Sequence, residues 1–390
     1  MQIIKKICSK NLLATLLILL AIGYNQFCYA NSNKYLTKWY EYRLQTAKSE
    51  IIDDSIIDEV ADDLANNKKP IYSLIVDSNS ISPNIDVLEK LLNALKKNTT
   101  IKELSFFNFS GENIEKIAKI LNSKVFNYKN VKYYPIHDWL VSVDFTNNND
   151  NANSLEESAA KEIGLLIKKG LISLNLSGNK IGTDDLAIIV RELPNSKLTH
   201  LYLNRIKISR GGIDTLANAF RKGRNSLVFL SLNQNNIDSD SAIQIIEATS
   251  STYLLKNISL AENNIGNNKK FWQAMVNRIN KYDVYNINLA KNNIDSDDII
   301  EFILLTSYCS ISMLNLAENK IDSKGVLAIA DSKIWQESKT VINLNGNNID
   351  SDAIMALTKT ANTKEKLEGL NLGVVGIENP AVATNERNDL

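Results

Sequence analysis

One phrase recurs along this chain at intervals of about 28 residues: Leu171-x-x-Leu174-x-Leu176-x-x-Asn179-x-Ile181, then Leu227, Leu230, Leu232, Asn235 and Ile237, then Leu255, Ile258, Leu260, Asn263 and Ile265. Its asparagine slot falls at Asn79, Phe109, Asn148, Asn179, Ile206, Asn235, Asn263, Asn292, Asn319, Asn347 and Val375, eleven repeats of which eight keep the asparagine. A unit this short cannot enclose a core alone, so successive units must stack and bury their apolar faces on one another. The chain is therefore expected to form a solenoid, with its function on a surface rather than in a pocket.

Within one phrase, alternation sends Leu174 and Leu176 inward and Ser173, Asn175 and Ser177 outward, as in a short strand. The asparagine comes where the chain leaves the strand. Its amide both donates and accepts, and so can satisfy backbone groups that the turn would otherwise bury unpaired. Next comes Ile237-Asp238-Ser239-Asp240, Ile294-Asp295-Ser296-Asp297, Ile349-Asp350-Ser351-Asp352 or Ile181-Gly182-Thr183-Asp184. Ser or Thr there reads as a helix N-cap, with Asp in the first turn against the positive end of the helix dipole. The following apolar stripes, Leu186, Ile189, Val190 and Leu193 or Ile299, Ile300, Ile303 and Leu304, have the spacing of an amphipathic helix. Parallel strands sit about 4.8 Å apart and packed helices about 8–10 Å, so such a stack bends with its strands on the inside.

The phrase resembles the leucine-rich repeat, and its period and helical second half resemble the ribonuclease-inhibitor-like class. The resemblance covers residues 71–377. It implies an α/β fold: a right-handed horseshoe solenoid with a concave parallel β-sheet and convex α-helices, carrying about eleven repeats.

Residues 1–30 read differently. Lys5 and Lys6 precede an apolar run from Leu12 to Ile22 and a segment ending at Ala30, the pattern of a signal peptide cleaved after Ala30. The run is too short to span a membrane, so no integral membrane segment is expected after cleavage. The mature protein is then secreted or periplasmic and keeps only Cys309, which leaves no internal disulfide. The absence of paired terminal cysteines, together with wording heavy in Asn, Ile and Lys, favours a bacterial source. The sequons Asn175-Leu176-Ser177 and Asn257-Ile258-Ser259 lie on the strands and are expected to be unused.

Residues 31–70 are expected to form a helical N-terminal cap, with helices over Tyr35–Ala47 and Asp53–Ala65. The last repeat, Leu367 to Ile377, is followed by the polar tail 378–390, expected to be disordered. Between Phe109 and Asn148 lie extra residues rich in aromatics and lysine, Phe126, Tyr128, Tyr133, Tyr134 and Trp139 with Lys124, Lys129 and Lys132. They are read as a patch on an irregular repeat or as a functional loop.

No pattern points to catalysis, so the chain is read as no enzyme, with no metal and no cofactor. His137 and His200 are the only histidines and have no partner at motif spacing. The Asp-x-Asp pairs lack the Gly and Glu that a calcium loop needs, which leaves helix capping as their explanation. Lys plus Arg and Asp plus Glu are equal at 44 each, so charge does not point to nucleic acid.

The strand offsets assign concave columns that are small, polar and nearly uncharged. The exception is the group His200, Tyr202 and Phe229 on adjacent strands, with Asn204, Arg205 and Asn233 beside them. Exposed aromatics ringed by polar groups make a protein-binding hot spot, although filling the gap at the Ile206 repeat accounts for them equally well. The function expected is a non-enzymatic scaffold that binds a partner protein on its concave face. In a host-associated bacterium that partner would be a host protein. The repeats also resemble those of Ran GTPase-activating proteins, which implies GTPase activation as an alternative; stimulation of GTP hydrolysis by Ran discriminates the two.

Overall fold

The computed structural model describes residues 49–52, 57–66, 73–79, 85–98, 101–123, 142–148, 154–223, 225–282, 286–306, 311–332 and 340–360, with Val284 and Trp335. The signal-peptide, first cap-helix, aromatic-insertion, Cys309, last-repeat and tail expectations lie outside the described residues.

Among the described residues, eleven strands form one parallel sheet in strict chain order: β1 (Ser49–Ile52), β2 (Ser73–Asp77), β3 (Glu103–Phe107), β4 (Ser142–Asp144), β5 (Ser173–Asn175), β6 (His200–Tyr202), β7 (Phe229–Ser231), β8 (Asn257–Ser259), β9 (Asn286–Asn288), β10 (Met313–Asn315) and β11 (Val341–Asn343). Each is followed by a helix: α1 (Ile57–Asn66), α2 (Ile85–Lys97), α3 (Gly111–Ser123), α4 (Glu157–Lys168), α5 (Thr183–Val190), α6 (Arg210–Arg221), α7 (Ser239–Ala248), α8 (Lys269–Tyr282), α9 (Ser296–Leu305), α10 (Ser323–Asp331) and α11 (Ser351–Thr360). Successive helices pack on one another along the same side of the sheet. This is the expected α/β leucine-rich-repeat solenoid. Among the described residues, no helix is long and apolar enough to cross a membrane.

The phrase positions behave as their alternation predicts. Leu174, Leu176, Leu230, Leu232, Leu260 and Leu289 are fully buried, while the strand residues between them face the other side of the sheet. Each such leucine contributes roughly 1.5–3 kcal/mol by leaving water. The asparagine slot builds a ladder. Asn263 Nδ2 donates to the carbonyls of Leu232, Leu260 and Ala261 at 3.0, 2.9 and 3.2 Å, and its Oδ1 accepts from the N–H groups of Asn235 and Ile237 at 3.0 and 2.9 Å. Asn235, Asn292, Asn319 and Asn347 repeat the arrangement, each tying its own turn to the preceding one.

Four details differ from the sequence reading. The cap region contains strand β1, which pairs with β2 from Ser49 opposite Ser73 to Ile52 opposite Val76. The segment between the two predicted helices thus begins a further strand–helix unit rather than a purely helical cap, in keeping with the β preference of Ile51 and Ile52.

In the β4 turn the inward residue is Asn147, buried and donating to Phe109 O at 3.2 Å, whereas Asn148 is exposed. The residue before the slot is left-handed at Asn108, Gly178, Arg205, Gln234, Glu262, Lys291, Glu318 and Gly346. Asn147 is not among them, so the chain there turns inward one residue early.

The helix caps are shifted as well. Asp238, Asp295 and Asp322 are the N-caps, Asp295 completing a capping box with Asp298, and Asp350 Oδ1 likewise accepts from Ala353 N–H at 2.8 Å. The Ser or Thr that follows is the first helical residue and joins neighbouring repeats. Ser239 Oγ donates to Gly266 O at 3.1 Å, Ser296 Oγ to Asp322 Oδ1 at 2.5 Å, and the Thr183 and Ser209 hydroxyls meet at 2.8 Å.

Finally, the buried stripe of α9 runs through Ile299 and Phe302, while Leu304 is 76% exposed. A helix turns 100° per residue, which places position 304 beyond the stripe that 299 and 302 define.

Candidate functional site

The side of the sheet opposite the helices carries the third, fifth and seventh positions of each phrase, and its short strands alternate between partly exposed and buried residues. At its centre β6 and β7 are paired in register, His200 opposite Phe229 and Tyr202 opposite Ser231. The rings of His200 and Phe229 stack at 6.1 Å between centroids, and Tyr202 lies tilted over Phe229 at 5.0 Å. The expected aromatic group therefore exists, but its members are unequal. Phe229 is 7% exposed and forms the floor, while His200 and Tyr202 keep exposed edges.

His200 Nδ1 lies 2.7 Å from Thr199 Oγ1, and Thr199 Oγ1 also donates to Ile172 O at 3.1 Å. The imidazole is thus oriented by a hydroxyl that is itself fixed to the neighbouring strand. Burial disfavours the charged ring and lowers the His200 pKa from 6.5 to about 4, so the imidazole is neutral near pH 7. It presents a flat, uncharged heterocycle on the open face of the sheet.

The polar members are built into the sheet. Asn204 Oδ1 accepts from Ser231 Oγ at 2.6 Å and Asn233 N–H at 2.8 Å; Asn233 Oδ1 accepts from Ser259 Oγ at 2.7 Å and Ala261 N–H at 2.8 Å. Their carbonyl oxygens are committed to the next repeat, so what each can present outward is its amide donor. Arg205 is directed elsewhere. Its Nη2 donates to Asn147 O at 2.8 Å and Asn148 Oδ1 at 2.9 Å, bridging the turn of β6 to that of β4. Its guanidinium is thus committed to the β4 turn rather than to the aromatic group.

Sequence reasoning missed Asp144, Thr199 and Ser231. Asp144 sits in the same row as Tyr202, through the register Asp144–Asn175–Tyr202. Its Oδ1 accepts from Thr146 N–H and Oγ1 at 2.8 and 2.6 Å, and its Oδ2 from Asn175 Nδ2 at 3.1 Å. Burial raises its pKa, against the lowering effect of these neutral hydrogen bonds. The signal was the lone acid in a column otherwise made of amides, hydroxyls and apolar groups.

The two strand sequons are engaged in structure: Asn175 donates to Asp144, and Asn257 is buried with its amide donating to Val228 O at 3.3 Å. In the turns beside the strands, Glu262, Lys291 and Glu318 stand at equivalent positions of successive repeats. Lys291 and Glu318 meet at 3.5 Å, whereas Glu262 accepts from Gln234 at 2.7 Å.

No protein-family model matches this chain, and no curated protein is similar to it. Among solved structures it is similar to a chain in the crystal structure of the Rad7 and Elc1 complex in yeast, at 15% identity over 90% of each chain with a TM-score of 0.49. It is also similar to a protein from Bacteroides fragilis, at 12% identity over 72% of this chain and 70% of that one with a TM-score of 0.38.

Proposed function

We propose that this chain is a non-enzymatic interaction scaffold whose open sheet face receives a partner protein at His200 and Tyr202. The observation that supports it is the ring arrangement itself: two partly exposed rings resting on the buried Phe229. A preordered aromatic surface edged with amide donors binds with little further loss of side-chain freedom, and residues of this kind carry about 2 kcal/mol or more at protein interfaces.

Affinity capture with the wild-type chain, followed by identification of the retained protein, supplies the partner. Tyr202→Ala together with His200→Ala should then lower its affinity at least tenfold with an unchanged circular dichroism spectrum. Undiminished affinity would move the contact off this face. We propose also that residues 1–30 direct export from a bacterial cell, which would make an extracellular or host protein the partner. N-terminal sequencing of protein recovered outside expressing cells should read from Asn31, and retention of the leader inside the cell would refute export.

A further inference from the structure

Across β2 to β11 the acidic or basic side chains at the open-face strand positions, His200 apart, are Asp77, Glu103 and Asp144, all acidic, and the His200 imidazole is neutral near pH 7. Asp144 lies in the row that runs through Asn175 to Tyr202. Its hydrogen bonds come from the neutral groups of Thr146 and Asn175, and among the described residues no lysine or arginine stands within ion-pair distance of it. Asp144 is half-buried under these neutral donors, and a cation brought to it by a binding partner would pair with a carboxylate already fixed in place.

We propose that the partner crosses the open face of β4 to β7 with a basic side chain over Asp144 and an apolar side chain against Tyr202 and His200. This rests on the interaction-scaffold reading above and names the chemistry of its ligand. Asp144 and Tyr202 are two strands apart, about 10 Å at the spacing of a parallel sheet. An extended segment covers that distance in about three residues and a helix in about two turns. An acidic partner is disfavoured on the same face, because no cation of the described strands would meet it.

The test uses two labelled peptides, one alternating arginine and leucine and the other alternating glutamate and leucine, with binding followed by fluorescence anisotropy. The wild-type chain should bind the arginine peptide at least tenfold tighter than the glutamate peptide, with an affinity that falls as salt is raised. Asp144→Asn should remove at least tenfold of that affinity. Asparagine already occupies the equivalent position in β5, β9, β10 and β11, where it accepts from the N–H two residues on, so the variant should keep its fold. Equal binding of the two peptides, binding of neither, or an Asp144→Asn variant with wild-type affinity would each overturn the proposal. If Tyr202→Ala alone abolishes capture of the protein partner while Asp144→Asn does not, the aromatic face stands and the basic subsite falls. If neither variant affects capture, both readings fall.

Discussion

At the residue before most asparagine slots the backbone is left-handed, with φ of 75° at Gly178, 53° at Arg205, 58° at Gln234, 55° at Glu262, 54° at Lys291 and 52° at Glu318. Each non-glycine residue there costs roughly 1–2 kcal/mol. Gly178 has a second reason to be glycine, since a Cβ on it would lie 1.8 Å from Asn147 O. Gly178→Ala should therefore lose about 3 kcal/mol or more in urea denaturation, because both the conformation and the contact penalise it. Lys291→Gly should stay within about 1 kcal/mol of wild type, on the stabilising side: strain relief exceeds the added backbone entropy of the unfolded chain, and the exposed pair with Glu318 contributes little.

His200 titrates at the same scale. Its folded-state pKa of about 4 lies below the unfolded 6.5, so above 6.5 neither state carries the proton. As pH falls from 6.5 to 4 the unfolded chain gains the proton first, and stability is lost through that window. Relative to His200→Gln, the wild type should lose on the order of 3 kcal/mol between those two pH values, since each tenfold difference in proton affinity between the two states is worth about 1.36 kcal/mol. Parallel stability curves for the two proteins would show the ring to be solvated.

At the scale of the element, strand, turn and helix were readable because each follows from a local pattern: alternation, an amide with both hydrogen-bonding roles, and a stripe of period 3.6. What escaped was position to within one residue. The Asp-Ser pair contains two good cap residues, and only the backbone angle decides which of them caps. Asp238 and Asp295 are extended, which hands the cap to aspartate and frees the serine for the next repeat. The shift from Asn148 to Asn147 has the same origin, since sequence spacing does not reveal a missing left-handed residue. The ladder asparagine is the element's central tie. Asn263→Ala would leave the N–H groups of Asn235 and Ile237 and up to three carbonyls without that partner, at about 1–3 kcal/mol for each buried group left unsatisfied. A loss of about 3 kcal/mol or more is expected in thermal or urea unfolding, whereas exposed Asn264→Ala should change stability by less than about 0.5 kcal/mol. Equal effects for the two would mean that the amide is replaceable by water.

At the scale of the molecule, the fold was written in the repeat, but the site was only half visible. Position in the phrase places Tyr202 and Phe229 on neighbouring strands without saying which ring is floor and which is surface; Phe229 is the floor because both His200 and Tyr202 lie against its ring. Nor could spacing show that Arg205 reaches back to the β4 turn, a contact spanning 58 positions of sequence. Long-range ties of this kind connect units that otherwise meet only their neighbours, and in a stack of nearest-neighbour contacts local damage spreads a limited distance. Leu232, fully buried between the turns of β6 and β8, tests this. Leu232→Asp places an unpaired charge in the seam and should expose the amides of β6, β7 and β8 to hydrogen exchange. Protection in α10 and α11, several repeats away, should persist. Loss of protection along the whole sheet in one step would show instead that the array unfolds as a single cooperative unit.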